Sequence, residues 1–391
     1  MRIAMFTDCY HPVINGVVTS IASLKSALEA EGHEVFLFTH DFPGYQDNEP
    51  NVFRFRSVTY PLMKENRFTF PWPIRHVGIL ARKRVEAVHI HTPFNVGWIG
   101  RLTASWLGRP RVFTHHTLWD EYTHYLPGPR GLVKKFGIWL GTTFCNSSAA
   151  VVSPSTPVME RLREQGVTRP IHVLPTGIDP TVFRGGDFSG PQQELGIEPG
   201  QKLFLYIGRL AKEKSIDFLL ETLASEPFPE CRLVVIGDGP SRGELEATAR
   251  QLGLCEQVRF LGYRKRAELK HYLAGARGLV FASQTETQGL VLLEAQAGGV
   301  PVLAVRGPGV TEAVSDAQTG KLFQPGDKAG FLAAWRELAH DDGMFERMSR
   351  NARAWAEDFS AQAMARKMCD LYRSLAGPAP VPERASAAEP A

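Results

Sequence analysis

The chain has no Asp-x-Asp triplet, no His-Glu-x-x-His and no other metal-ligand spacing of His, Cys, Asp and Glu, so nothing in its 391 residues asks for a catalytic metal. Its five cysteines form no C-x-x-C pair and no disulfide-like array, which excludes a disulfide-stapled scaffold and makes a reduced, cytoplasmic compartment the expectation. No apolar run approaches the roughly 20 residues that cross a bilayer. The apolar start of MRIAMFTDCYHPVINGV is too short for a signal-peptide core and leads directly into a strand and a turn. Charge of one sign is not in excess either: the net charge is +3, so any electrostatic surface must be local.

What is present is the composition of a globular protein, 43% hydrophobic and 22% charged, at a length that suits two domains better than one core. Short strand-type segments alternate with longer helix-period segments, the pattern of doubly wound α/β domains. RIAMFT, EVFLFTH, AVHIHT, RVFTHH, AAVVSPS and IHVLP read as parallel strands of a first domain, residues 1–176. KLFLYIG, RLVVIG, VRFLG, GLVFAS and VPVLAV read as those of a second, 177–357, with Gly and Pro accumulating at the junction. Two Rossmann-like domains place the expected ligand cleft between them. A helix is expected over 358–376, and the Pro- and Ala-rich segment 377–391 reads as a disordered tail.

The densest chemistry lies in TETQGLVLLEAQAGGVPVLA. A neutral loop hands over to the apolar run LVLLEA, so Gly289, Leu290 and Val291 are expected to offer backbone N–H groups at a helix start, a cradle for diphosphate. Glu286, ahead of the helix, suits sugar hydroxyls; Glu294, one turn inside, suits a ribose diol. Arg209 and Lys214 follow the apolar strand KLFLYIG and suit the charge that builds on a departing diphosphate. Gly237 and Gly239 read as turn residues. In the first domain, His115 and His116 follow an apolar strand and are expected at the carboxyl edge of the sheet, facing the cleft; structural roles are the reading for His115, His89 and His124. The Asn15-Gly16 loop lacks a full G-x-G-x-x-G, so a dinucleotide cofactor has little support. From the residues alone it is as much a plain turn as a ligand loop.

Glu286 and Glu294 with GGVPV at 298–302, joined by Asn15-Gly16, PTGID at 175–179, GRLAKEK at 208–214 and VVIGDGP at 234–240, resemble the signature of retaining family 4 glycosyltransferases. The resemblance implies the GT-B fold, a nucleotide-sugar donor, and a last helix that crosses back to the first domain. It also implies a loop at Gly16 against the phosphates, and a His-Thr pair at His116 and Thr117 that holds the donor sugar. Metal-free chemistry with UDP-glucose as first donor is the expectation.

The acceptor rests on less. LMKENRFTFPWPIRHVGILARKR, with Lys64, Arg67, Arg75, Arg82, Lys83 and Arg84, and GPRGLVKKFGIWLGTTF, with Arg130, Lys134 and Lys135 beside Phe136, Ile138 and Trp139, interleave cations with large apolar groups. Such segments fit an anionic membrane surface, or a basic helix whose apolar stripe packs on the core. HTLWDEYTHY and HIHTPF resemble the subgroup that glycosylates diacylglycerol. That implies a peripheral protein on the inner face of the cell membrane, with a soluble acceptor, or a non-catalytic glycan binder, as the alternatives; no nucleic-acid motif is present.

Overall fold

Parallel strands buried on both faces read as near-continuous apolar runs, and that is how this chain builds its two large sheets. The computed structural model describes residues 1–13, 15–47, 49–60, 63–69, 74–116, 130–286 and 288–376. They divide into two compact units: Met1–Val152, Gly166–His172 and the chain from Ala365 form one, Ser153–Gln165 and Val173–Met364 the other. The sequence placed the boundary at 176 with a helix over 358–376 returning to the first domain; here residues 153–165 join the second unit and the return begins at Ala365. The tail from 377, Thr117 and His124 lie outside the described residues.

The first unit holds β1 (Arg2–Phe6), β2 (Glu34–His40), β3 (Val52–Phe55), the antiparallel pair β4 (Ser57–Tyr60) and β5 (Met63–Thr69), then β6 (Ala87–Ile90), β7 (Arg111–Thr114), β8 (Ala150–Ser153) and β9 (Ile171–Val173). Its main sheet runs β3-β2-β1-β6-β7-β8-β9. The chain winds from β1 outward through β2 and β3, then returns to β6 on the other side. The switch point therefore lies between β1 and β6, where loops leave the carboxyl ends of adjacent strands in opposite directions. Phe6 stacks on Phe38 at 4.8 Å between centroids, locking β1 to β2.

The second unit holds β10 (Lys202–Ile207), β11 (Cys231–Ile236), β12 (Val258–Gly262), β13 (Ala276–Phe281), β14 (Val302–Val305) and β15 (Gly320–Phe323), in the order β12-β11-β10-β13-β14-β15, with every adjacent pair parallel. Here the switch point lies between β10 and β13. Trp335 is fully buried against Phe204 of β10, at 5.5 Å edge to face, anchoring the helix Lys328–His340 on the sheet.

The last helix differs from expectation. Asp358 ends the preceding helix Asp342–Asp358, and the last one is Ala361–Ala376. The break at Phe359 and Ser360 has a cause: Ile178 donates to the Phe359 carbonyl at 2.9 Å and accepts from Ala361 N–H at 2.7 Å, diverting backbone groups that a continuous helix would need. From Ala365 on the helix belongs to the first unit, where the Tyr372 hydroxyl lies 2.6 Å from Nδ1 of buried His89.

Candidate functional site

In the second unit the switch point brings together two loops. The first leaves β10 at Gly208 and is braced from β11: Leu210 N–H donates to the Asp238 carbonyl at 3.0 Å and Ser241 N–H to the Leu210 carbonyl at 2.9 Å. Gly237 is more than a turn residue here, because a Cβ on it would sit 1.9 Å from the Gly208 carbonyl oxygen. Along this loop Arg209 reaches out, over half exposed, and pairs with Glu213. Lys214 turns inward, and its Nζ lies 2.5 Å from Oε1 of Glu286, both side chains about four-fifths shielded at 18% and 20% exposure.

Glu286 sits on the loop leaving β13, its carbonyl accepting from Gly309 N–H at 2.8 Å. That loop ends at Gly289, in the left-handed region at φ 67° and ψ 43°, where a side chain would also meet the Gly309 carbonyl oxygen at 3.1 Å. The helix Leu290–Ala297 follows, with no acidic residue in its first turn. The N–H groups of Gly289, Leu290 and Val291 precede its hydrogen-bond ladder. The order of β10 beside β13 thus brings Lys214 to Glu286, three positions ahead of this helix start. Gln288, which sequence reasoning passed over, clamps the PTGID segment: its side chain accepts from Thr176 N–H at 2.8 Å and donates to the Thr176 carbonyl at 2.7 Å.

Glu294 is one turn into the helix with its side chain 14% exposed, and a guanidinium nitrogen of Arg266 lies 2.5 Å from its Oε1. Burial raises its pKa above the usual carboxylate value, against the opposing pull of Arg266. Arg266 is the second functional candidate that no sequence signal marked, because it lies 28 positions upstream in a different loop.

In the first unit, Asn15 caps the helix Gly16–Ala30 by accepting from Val18 N–H at 2.9 Å. A Cβ on Gly16 would meet nothing within 4 Å, so packing does not demand glycine there. His116, half-buried at the end of β7, shares a hydrogen bond of 3.1 Å between its Nε2 and Nδ1 of His91. Burial, reinforced by His115, pushes the His116 imidazole down to about 3, so it is neutral at physiological pH. His89 is likewise held at about 3 by burial, between Tyr372 and Thr114, and burial, with His89 and His116 beside it, lowers His91 well below its ordinary value. His89 and His115 are buried among core residues, a structural setting.

The helix Arg130–Ser147 divides into two halves. Phe144 and Cys145 are fully buried, whereas Leu132, Phe136 and Trp139 are 66%, 58% and 57% exposed, with Lys134 and Lys135 exposed beside them. An apolar stripe packed wholly on the core therefore does not describe it. The other basic segment contributes less than its composition suggested: Arg67 is spent on Ser57, donating to Oγ at 2.6 Å and to the carbonyl at 2.9 Å. Arg82, Lys83 and Arg84 are exposed, and the side chains of Lys64, Arg75 and Arg130 lie outside the described residues. Among the described residues no helix is long and apolar enough to cross a membrane.

Two family profiles match in succession, Glycosyltransferase Family 4 over residues 14–182 and Glycosyl transferases group 1 over 191–355. The chain is 32% identical over 83% of its length to the alpha-monoglucosyldiacylglycerol synthase of Streptococcus pneumoniae, spanning 75% of that protein. It is 29% identical over 96% of its length to the synthase of the same name from Acholeplasma laidlawii, spanning 97% of it. Among solved structures, Anabaena Alr3699/HepE in complex with UDP-glucose shares the fold at a TM-score of 0.71 and 19% identity, covering 96% of this chain and all of that one. The parallel sheets, the motifs and these matches agree: the chain belongs to the family 4 glycosyltransferases and has the GT-B fold.

Proposed function

We propose that this protein is a retaining glycosyltransferase that takes glucose from UDP-glucose and joins it to a membrane lipid such as diacylglycerol, working peripherally on the inner face of the cell membrane. The observation that carries the reading is the approach of Lys214 to Glu286 at 2.5 Å immediately ahead of the helix that starts at Gly289. A cation, a carboxylate and unladdered N–H groups at one switch point suit a sugar diphosphate.

In this reading Arg209, Lys214 and the N–H groups of Gly289, Leu290 and Val291 receive the negative charge that grows on the departing diphosphate. Glu286 accepts from sugar hydroxyls and orients the Lys214 ammonium. Glu294 holds the ribose, and the open backbone at Gly16 faces phosphate. His116 meets the sugar as a neutral imidazole, a hydrogen-bonding group rather than a charge. With these protein groups neutralising the leaving group, no metal is required.

The lipid acceptor is supported by the two relatives named as alpha-monoglucosyldiacylglycerol synthases and by the exposed Leu132, Phe136 and Trp139 beside Lys134 and Lys135. Aromatic and aliphatic groups flanked by lysines favour an anionic interface. The experiment is a nucleotide-sugar panel, begun with UDP-glucose, offered diacylglycerol in anionic vesicles with and without EDTA, the products read by mass spectrometry. A glucolipid formed equally in EDTA is expected. Transfer only to soluble acceptors, or none with any donor, refutes the lipid reading, and activity abolished by EDTA and restored by magnesium refutes the metal-free one.

A further inference from the structure

Arg266 plays no part in the transfer chemistry above, yet it forms the ion pair with Glu294, the more shielded of the two carboxylates at the site. It opens the short turn Arg266–Glu268 that follows β12, a turn closed by Lys265 N–H donating to the Glu268 carboxylate at 3.1 Å. From there the guanidinium crosses to the helix Leu290–Ala297 and lies over the ring of Phe183, 5.1 Å from its centroid. Phe183 is itself fully buried in the turn Pro180–Phe183. A planar cation resting on a fixed ring is pre-oriented, so less freedom is lost when it binds a carboxylate.

The other charged groups on elements packed against this helix are engaged elsewhere or lie at its far end. Arg184 donates to the Ala297 carbonyl at 3.1 Å and pairs with Glu357 at 2.6 Å; Glu312 accepts from Thr156 N–H at 2.7 Å; Arg353 lies against Gly299. Lys214 and Glu286 pair with each other. Arg266 is thus the cation that compensates Glu294. It occupies one oxygen, and an ionised carboxylate has about four acceptor positions, so enough remain for two hydroxyls.

We propose that Arg266 is a positioning residue for the nucleotide: its ion pair keeps the Glu294 carboxylate ionised and oriented to accept both hydroxyls of a ribose 2′,3′-diol. The proposal rests on the reading that Glu294 holds the ribose. Without Arg266, burial acts unopposed on Glu294, a larger fraction is protonated, and an acid that carries its own O–H is a poorer double acceptor.

Calorimetric titration of UDP against 2′-deoxy-UDP, and of GDP against 2′-deoxy-GDP, into the full chain tests this from about pH 5.5 to 8. Taking the ratio of the two affinities within each pair cancels the ionisation of the phosphates. Wild type should prefer the ribo form by about tenfold, near the value of one charge-assisted hydrogen bond. Glu294→Gln should lose that preference at every pH. Arg266→Gln should lose most of it, and the loss should deepen as pH falls. Arg266→Lys, which keeps the charge but not the fork, should lose roughly threefold and decides the matter if the Gln variant does not fold. A wild-type protein with no ribose preference, or with no affinity for either nucleotide, overturns the Glu294 reading and this proposal together. Wild-type preference retained at all pH values in both Arg266 variants, but lost in Glu294→Gln, overturns the proposal alone.

Discussion

Replacing Lys214 by Ala removes an ammonium that lies 2.5 Å from a carboxylate only one-fifth exposed, and the consequence is twofold. A donor aimed at the leaving group is lost, which typically raises the barrier by about 3 to 4 kcal/mol, a few hundredfold in kcat. Glu286 is also left without its cation, beside the place where diphosphate charge grows, and its repulsion adds to the loss. Lys214→Ala should therefore lower kcat and kcat/KM together by at least a hundredfold, with KM for the donor changing little, the mark of an interaction strongest in the transition state. Glu286→Gln in the Lys214→Ala background removes the orphaned charge. The double variant should then be less impaired than the two single losses predict, by about 1 to 2 kcal/mol, within the range for residues in contact. The assay is nucleotide release under saturating and limiting donor for all four proteins, with thermal melts to confirm folding. Additivity within about 0.5 kcal/mol, or a rise in KM with kcat unchanged, would refute the reasoning.

Gly289→Ala places a side chain at φ 67° and 3.1 Å from the Gly309 carbonyl, and should cost about 1 to 2 kcal/mol, seen as a melting temperature lower by several degrees; an unchanged melt would mean the loop relaxes freely. His89 and His116 are held at about 3 and His91 is also lowered, so the unfolded chain binds protons first as pH falls. Stability of the first unit is thus complete above the ordinary histidine value of about 6.5 and is lost toward 3, at up to about 1.4 kcal/mol per pH unit for each histidine; urea unfolding at pH 7 and 5 measures it, and equal midpoints would contradict it. Lys134→Glu with Lys135→Glu should weaken binding to anionic vesicles and turnover on lipid more than slow donor hydrolysis, each lost cation removing about 1 kcal/mol of attraction that also fades with salt. Vesicle binding equal to wild type in sedimentation would remove the basis for this surface.

Strands buried on both faces announce themselves as apolar runs, which is why β1, β2, β6 to β8, β10, β11, β13 and β14 were legible in the sequence, and the less buried β9 and β12 were read beside them. The strands β3 and β15 lie at sheet edges and are only partly buried, so they lack the continuous apolar run that marks a strand covered on both faces. The motif loops were legible because glycines and charges at the ends of strong strands have few places to go. Their partners were not. Lys214 and Glu286 are 72 positions apart, and only the order of β10 beside β13 makes them neighbours. Arg266 meets Glu294 and Gln288 grips Thr176 for the same reason: ion pairs and clamps between loops follow from sheet order, which no local pattern encodes. The break at Phe359 and Ser360 was hidden because it depends on backbone bonds to Ile178, far away in the sequence.

The central claim is retaining transfer from a nucleotide sugar to a lipid. It is tested most directly by incubating the protein with UDP-glucose carrying ¹³C at the anomeric carbon and diacylglycerol in anionic vesicles, then recording the anomeric signal of the isolated lipid by NMR. The account predicts an α-linked glucolipid, the configuration of the donor kept. A β-linked product, or label recovered only as free glucose or on a soluble acceptor, would contradict it.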